Sequence, residues 1–221
     1  MIGDLVSGAT LCHVRLSPSR RAKHIMGMPA SIPPNRLRKW TAAEVRQLIA
    51  DAPLGTPRYE LVDGELLVTP SPKGVHQQAV GLLLAALVEY LRRNPVGRAY
   101  TSPFDVELEP GSVLQPDILV APMEEAKRLL TEMPARELLL ACEVLFPSSA
   151  RHDRVKKRPV YGRHVPEYWV VDTDARVFER WRAGEAHSEL VTETLEWHPA
   201  GAAEPFRLDV VRYFAEIFHE L

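Results

Sequence analysis

Apolar positions recur at helical spacing along Gly74–Arg93, where His76, Val80, Leu83, Leu84, Leu87 and Leu91 fall on one stripe. That periodicity predicts an amphipathic helix with one face turned to a core. Shorter helices are expected at 42–50, 124–130 and 210–218. Thr41 followed by Glu44 reads as a capping box at the start of the first. Strands are expected at 59–61 and 65–69, joined through Val62-Asp63-Gly64, because Asp-Gly between apolar residues favours a tight hairpin. Further strands are expected at 97–101, 105–108, 114–120, 137–145, 168–172, 177–182 and 190–197, with a turn at Thr173-Asp174. Residues 152–163 read as a basic helix bent by Pro159. Strands interleaved with helices predict an α/β fold.

Residues 1–35 break this pattern. They cluster Arg20, Arg21 and Lys23, carry Pro29, Pro33 and Pro34, and show no apolar period. They are expected to be a disordered tail, with Met26 or Met28 as alternative starts, and residues 36–221 a single domain. The first 40 residues hold seven Lys or Arg and one Asp; the rest holds 20 basic and 28 acidic residues. An acidic body argues against a strong, unaided grip on nucleic acid. No apolar run reaches membrane-spanning length, and no clean signal peptide precedes the domain. The two cysteines, Cys12 and Cys142, make no disulfide framework, so a reducing cytoplasm is expected. Phosphate-loop, dinucleotide, nucleophile-elbow and zinc-protease motifs are absent.

The candidate chemistry lies in acids at strand ends. Asp117 sits in Gln-Pro-Asp-Ile-Leu-Val, and Glu143 in Leu-Ala-Cys-Glu-Val-Leu. A carboxylate on an apolar strand is costly to bury unless it is paired or holds a cation. Hard cations such as magnesium take such oxygens, and phosphodiester cleavage uses them. Solvated strand-end charge is the plain alternative. Asp153, Lys157 and Tyr161 share a helical face at i, i+4, i+8. Lys157 is a candidate to stabilise developing negative charge; a surface ion pair with Asp153 is the alternative. His76 is either a hydrogen-bonded core histidine or a proton donor. Glu60 or Glu65, flanking the predicted hairpin, is a candidate third carboxylate, and Asp105 has weaker support.

Taken in order, these pieces resemble a known family. Tyr-Glu-Leu-Val-Asp-Gly-Glu (59–65), Ser71-Pro72 with His76, Pro116-Asp117, Glu143-Val144-Leu145 with Pro147-Ser148, then Asp153, Lys157 and Tyr161, then Val-Pro-Glu-Tyr-Trp-Val-Val-Asp (165–172) resemble the Uma-two family of bacterial endonucleases. The resemblance covers about residues 38–218. It implies a restriction-endonuclease-like (PD-(D/E)XK) core, a mixed central β-sheet flanked by helices. It assigns catalysis to Asp117, Glu143, Lys157, His76 and Glu60. A magnesium or manganese ion would be held by Asp117, Glu143, the Val144 carbonyl and Glu60 or Glu65. It implies a nucleic-acid partner, DNA by expectation, and makes a homodimer plausible. A non-catalytic binding or assembly module on the same fold is the competing reading. Leu145 stands where the superfamily's lysine usually follows the second acid, so the resemblance moves that role to Lys157. Phe146 replaces a usual serine, and the spacing from Tyr161 to Val165 is one residue short.

Overall fold

The computed structural model describes residues 38–53, 57–69, 74–145 and 150–220. The chain from Leu37 onward clusters as one unit. The expected tail at 1–35, Cys12, Ser71-Pro72, Phe146 and Pro147-Ser148 lie outside the described residues.

Helix α1 (Ala42–Asp51) opens with the expected capping box: the Glu44 N–H donates to Thr41 Oγ1, and the Thr41 N–H donates to the Glu44 side chain. Strands β1 (Arg58–Val62) and β2 (Glu65–Thr69) form the expected antiparallel hairpin. Asp63 and Gly64 both take positive φ, 51° and 78°, the conformation a two-residue mirror-image turn demands. Leu61 pairs with Val113 through two backbone hydrogen bonds of 2.7 and 3.0 Å, which fastens the hairpin to the body.

Helix α2 (Gly74–Arg93) buries His76, Val80, Leu83, Leu87 and Leu91 of the predicted stripe, together with Ala79 and Tyr90, and leaves Leu84 half-buried. A six-stranded sheet follows, built from β3 (Gly97–Thr101), β4 (Ile118–Pro122), β5 (Leu140–Val144), β6 (Glu167–Asp172), β7 (Val177–Arg182) and β8 (Glu189–Val191). These strands lie side by side in chain order, and only the β5–β6 pair is parallel. The β5–β6 connection therefore needs a crossover, supplied by a π-helical segment (His152–Lys157) and α4 (Arg158–His164). Helix α3 (Met123–Arg128) follows β4; hairpin β9 (Thr194–Trp197) and β10 (Phe206–Asp209), then α5 (Val210–Ile217), close the chain.

Alternation divides the sheet residues between two cores. Ile118, Val120, Leu140, Cys142, Val144, Trp169 and Val171 meet α2 and α5 on one face. Leu119, Ala141, Tyr168 and Val170 meet Val160 and Tyr161 of α4 on the other. With both faces covered, β5 is buried along its whole length.

Several boundaries differ from the sequence expectation. Residues 105–108 form no strand; Val106 makes isolated bridges to Leu114 and Ala135. The expected strand 190–197 is two short strands, β8 and β9, and β10 was not expected. The basic helix 152–163 is π-helical in its first half, with the Arg158 N–H donating to the Asp153 carbonyl five residues back. Pro159 stands in the first turn of α4, where its missing N–H is tolerated. Helix α4 ends where the Val165 N–H donates to the Tyr161 carbonyl at 2.7 Å.

Candidate active site

The pleat explains why the two acids meet. Ile118 of β4 faces Cys142 of β5, and Leu119 faces Ala141. Continuing that antiparallel register sets Asp117 opposite Glu143, and alternation turns both to the α4 side of the sheet. Like charges facing each other across a strand pair repel, so this pairing needs compensation.

The compensation comes from three other elements. Arg58 and Glu60 are two apart on β1 and so share a face. Arg58 Nη1 donates to Asp117 Oδ1 at 2.7 Å, and the Gln115 N–H donates to Glu60 Oε1 at 2.8 Å. His76, in the first turn of α2, places Nε2 3.1 Å from Asp117 Oδ2. An ionised carboxylate only accepts, so Nε2 carries the proton in that contact. The Val144 N–H donates to the same oxygen at 2.8 Å.

The crossover brings the lysine. Lys157 is fully buried, with Nζ 3.0 Å from Glu143 Oε1, 2.9 Å from Asp153 Oδ1 and 2.6 Å from Glu60 Oε2. The 2.6 Å approach to Glu60 is ionic contact without hydrogen-bond alignment, since Glu60 Oε2 has no aligned donor among the described residues. Tyr161, four residues further on, donates its hydroxyl to Glu143 Oε1 at 3.0 Å. The expected Asp153–Lys157 pair therefore exists, but in the interior rather than on a solvated helix face. Arg154 holds the π-helical segment down by pairing with Asp172 at 2.7 Å and with Glu179.

These surroundings drive the two acids apart in proton affinity. Burial alone would raise the Asp117 carboxyl; the Arg58 charge, His76 and the Val144 N–H overcome it and hold Asp117 well below its ordinary value. Burial pushes the Glu143 carboxyl well up, and Lys157 offsets this only in part because Asp153, Glu60 and Asp117 repel. Burial opposes the charge on Lys157, yet Glu143, Glu60 and Asp153 outweigh it and raise that group above an ordinary lysine. Two neighbouring acids tuned in opposite directions are a hallmark of catalytic sites.

Asp117, Glu143, Lys157, His76 and Glu60 thus converge, with Val144 joined to Asp117 through its N–H. Glu65 does not join them: it is exposed and pairs with Lys156. Asp105 accepts from the Gln115 side chain at 2.6 Å, one step behind Glu60. Arg58 escaped the sequence reading. Its signal was the two-residue spacing from Glu60, but the expected strand 59–61 began one residue after Arg58.

The donor set suits a hard divalent cation. Carboxylates dominate it, and Glu143 Oε2, almost fully buried, receives no hydrogen bond from the described residues. Among the described residues no three His, Cys, Asp or Glu side chains stand ready around one ion position. Cationic Arg58 and Lys157 lie between them instead.

Comparison with known proteins agrees with this architecture. A family model described as "Putative restriction endonuclease", Uma2, matches residues 43–208. A crystal structure described as a putative nuclease belonging to DUF820 from Anabaena variabilis superposes with a TM-score of 0.63 at 18% identity, covering 76% of this chain and 96% of that one. At that identity the likeness concerns the fold. No curated protein sequence matches the chain.

Proposed function

The chain belongs to the Uma2 family of putative restriction endonucleases, and from that premise we propose that it hydrolyses phosphodiester bonds of nucleic acid, DNA in the first place, with a divalent cation. The observation that carries this reading is Lys157, buried against Glu143 and Glu60 beside the facing Asp117. A lysine in that position supplies the role that Leu145 is unable to fill.

Asp117, Glu143, Glu60 and the Val144 carbonyl would hold magnesium or manganese. When bound, the ion lowers the pKa of a coordinated water and polarises a phosphate oxygen. Asp117 is kept ionised for that task by Arg58 and His76. Lys157 stays cationic and offers fixed positive charge to the negative charge that develops during hydrolysis. Tyr161 and Lys157 together orient Glu143 through its Oε1. His76 positions Asp117. A two-fold dimer would present two such sites to opposite strands of a duplex.

The test is cleavage of plasmid and single-stranded DNA with magnesium or manganese, comparing wild type with Asp117→Ala and Lys157→Ala. Cutting by wild type is expected to fall at least about a hundredfold in either variant. A folded wild type that cuts neither substrate would defeat the proposal for DNA. Cutting that persists in Lys157→Ala would remove the lysine from the mechanism.

A further inference from the structure

We propose that Arg58 is the exchangeable counter-cation of this cluster: its guanidinium fills the space between Asp117, Glu143 and Glu60, competes with a divalent cation for them, and so sets the protein's affinity for metal. The proposal rests on the metal-dependent reading above and deepens it.

Geometry distinguishes Arg58 from the other cation. Its nitrogens lie 2.7 Å from Asp117 Oδ1, 3.6 Å from Glu60 Oε2 and 3.8 Å from Glu143 Oε2. Only the first of these is a hydrogen bond. Arg58 Nε and Glu143 Oε2 are both buried, and neither has a hydrogen-bond partner among the described residues. A planar fork matches one carboxylate in bidentate fashion. Three carboxylates arriving from β1, the start of β4 and β5 exceed what one fork satisfies. Arg58 is therefore held partly by charge across a gap, and unpaired buried polar atoms remain. A small spherical cation has no such directional restriction.

Lys157 is differently placed. Three carboxylates approach its Nζ within 3.0 Å, and its side chain is 0% exposed. The Arg58 side chain is 15% exposed, more than that of any of the acids it touches. The Arg58 side chain thus reaches solvent in part, whereas that of Lys157 is sealed in. Arg58 Nη1 also donates to the Gln115 carbonyl at 3.0 Å, a neutral partner outside the three carboxylates.

The experiment is titration of the full chain with Mn2+ alone, by calorimetry, for wild type, Arg58→Met and Arg58→Lys. Arg58→Met should bind Mn2+ about tenfold or more tightly than wild type, because one cation near the acids is gone. Arg58→Lys, with a shorter stem and no fork, should fall between them. In EDTA the Met variant should melt below wild type, and saturating Mn2+ should raise its melting temperature by more than it raises that of wild type. A purely structural arginine predicts the opposite, since misplaced carboxylates bind metal more weakly. Equal or weaker binding by the Met variant overturns the proposal while the metal reading stands. No Mn2+ binding by a folded wild type ends both. If Arg58→Met does not fold, Arg58→Lys decides: tighter binding supports the exchange, and unchanged or weaker binding refutes it.

Discussion

Lys157 shows how much one residue carries at this site. Its charge is buried among Glu60, Glu143 and Asp153, and each of those acids depends on it. Removing one partner from a buried ionic cluster costs about 3–5 kcal/mol, because the remaining charges stay desolvated. Lys157→Met should lose about that much in urea denaturation at pH 7 with EDTA present. Adding Glu60→Gln to it should recover part of the loss, since the two residues touch. A loss below about 1 kcal/mol would mean that the acids are already neutral or solvated. The sequence supplied the i, i+4 spacing of Asp153 and Lys157. It offered no means of telling a surface pair from a buried one, because burial depends on what packs over the helix.

At the scale of elements, α3 is tied to the loop after it by one acid. Glu125 is buried at 8% exposure and accepts from Arg128 Nη2 at 2.6 Å and from the Arg136 N–H at 2.6 Å. The Arg128 hydrogen bond is the main reason that its carboxyl lies below the ordinary value of 4.5, with burial opposing and the Arg136 N–H assisting. A depressed folded-state pKa stabilises the fold above the unfolded value, and that stability is lost as pH falls through the folded value. Glu125→Gln should therefore be less stable than wild type at pH 7. The difference should shrink as the pH is lowered below 4.5. A gap independent of pH would assign the effect to shape rather than charge. The π-helical segment belongs to the same scale. Its wider turn carries Asp153 and Lys157, while Val155 between them points outward at 59% exposure. The sequence read this stretch as a basic helix but held no sign of the wider register.

Across the whole molecule, the sheet separates an apolar core from a core that contains the acids. The α2–α5 side packs Trp169 against Phe178, Trp197 and Phe206. The α4 side stacks Tyr161 on Tyr168 at 4.6 Å, directly beneath Glu143. An apolar scaffold on one face lets the other face keep a costly ionic cluster. The chain beyond residue 40 has more acidic than basic residues, so DNA contact should depend on the cation as well as on Lys and Arg. In about 0.1 M salt, Ca2+ should support retention of DNA on a filter, and EDTA should abolish it. Equal retention in both would place the binding energy in basic surface alone. Among the described residues, no helix is long and apolar enough to cross a membrane.

The sequence by itself determined the α/β class, the long helix α2, the Asp-Gly hairpin, the strand that carries Glu143 and the later part of the strand that Asp117 leads into. These follow from period and turn chemistry, which are local. The ordered motifs also determined the family, as the match over residues 43–208 shows. Only the tertiary structure decided which charges meet. Glu60 enters the cluster and Glu65 does not: Glu60 lies in the fully buried second half of β1, whereas Glu65, at the start of β2, is exposed and pairs with Lys156. Arg58 joins because the hairpin is fastened to Val113, beside Asp117. Pairing across 59 and 27 residues of chain, as in Arg58–Asp117 and Asp117–Val144, is set by how strands dock, which no local period encodes.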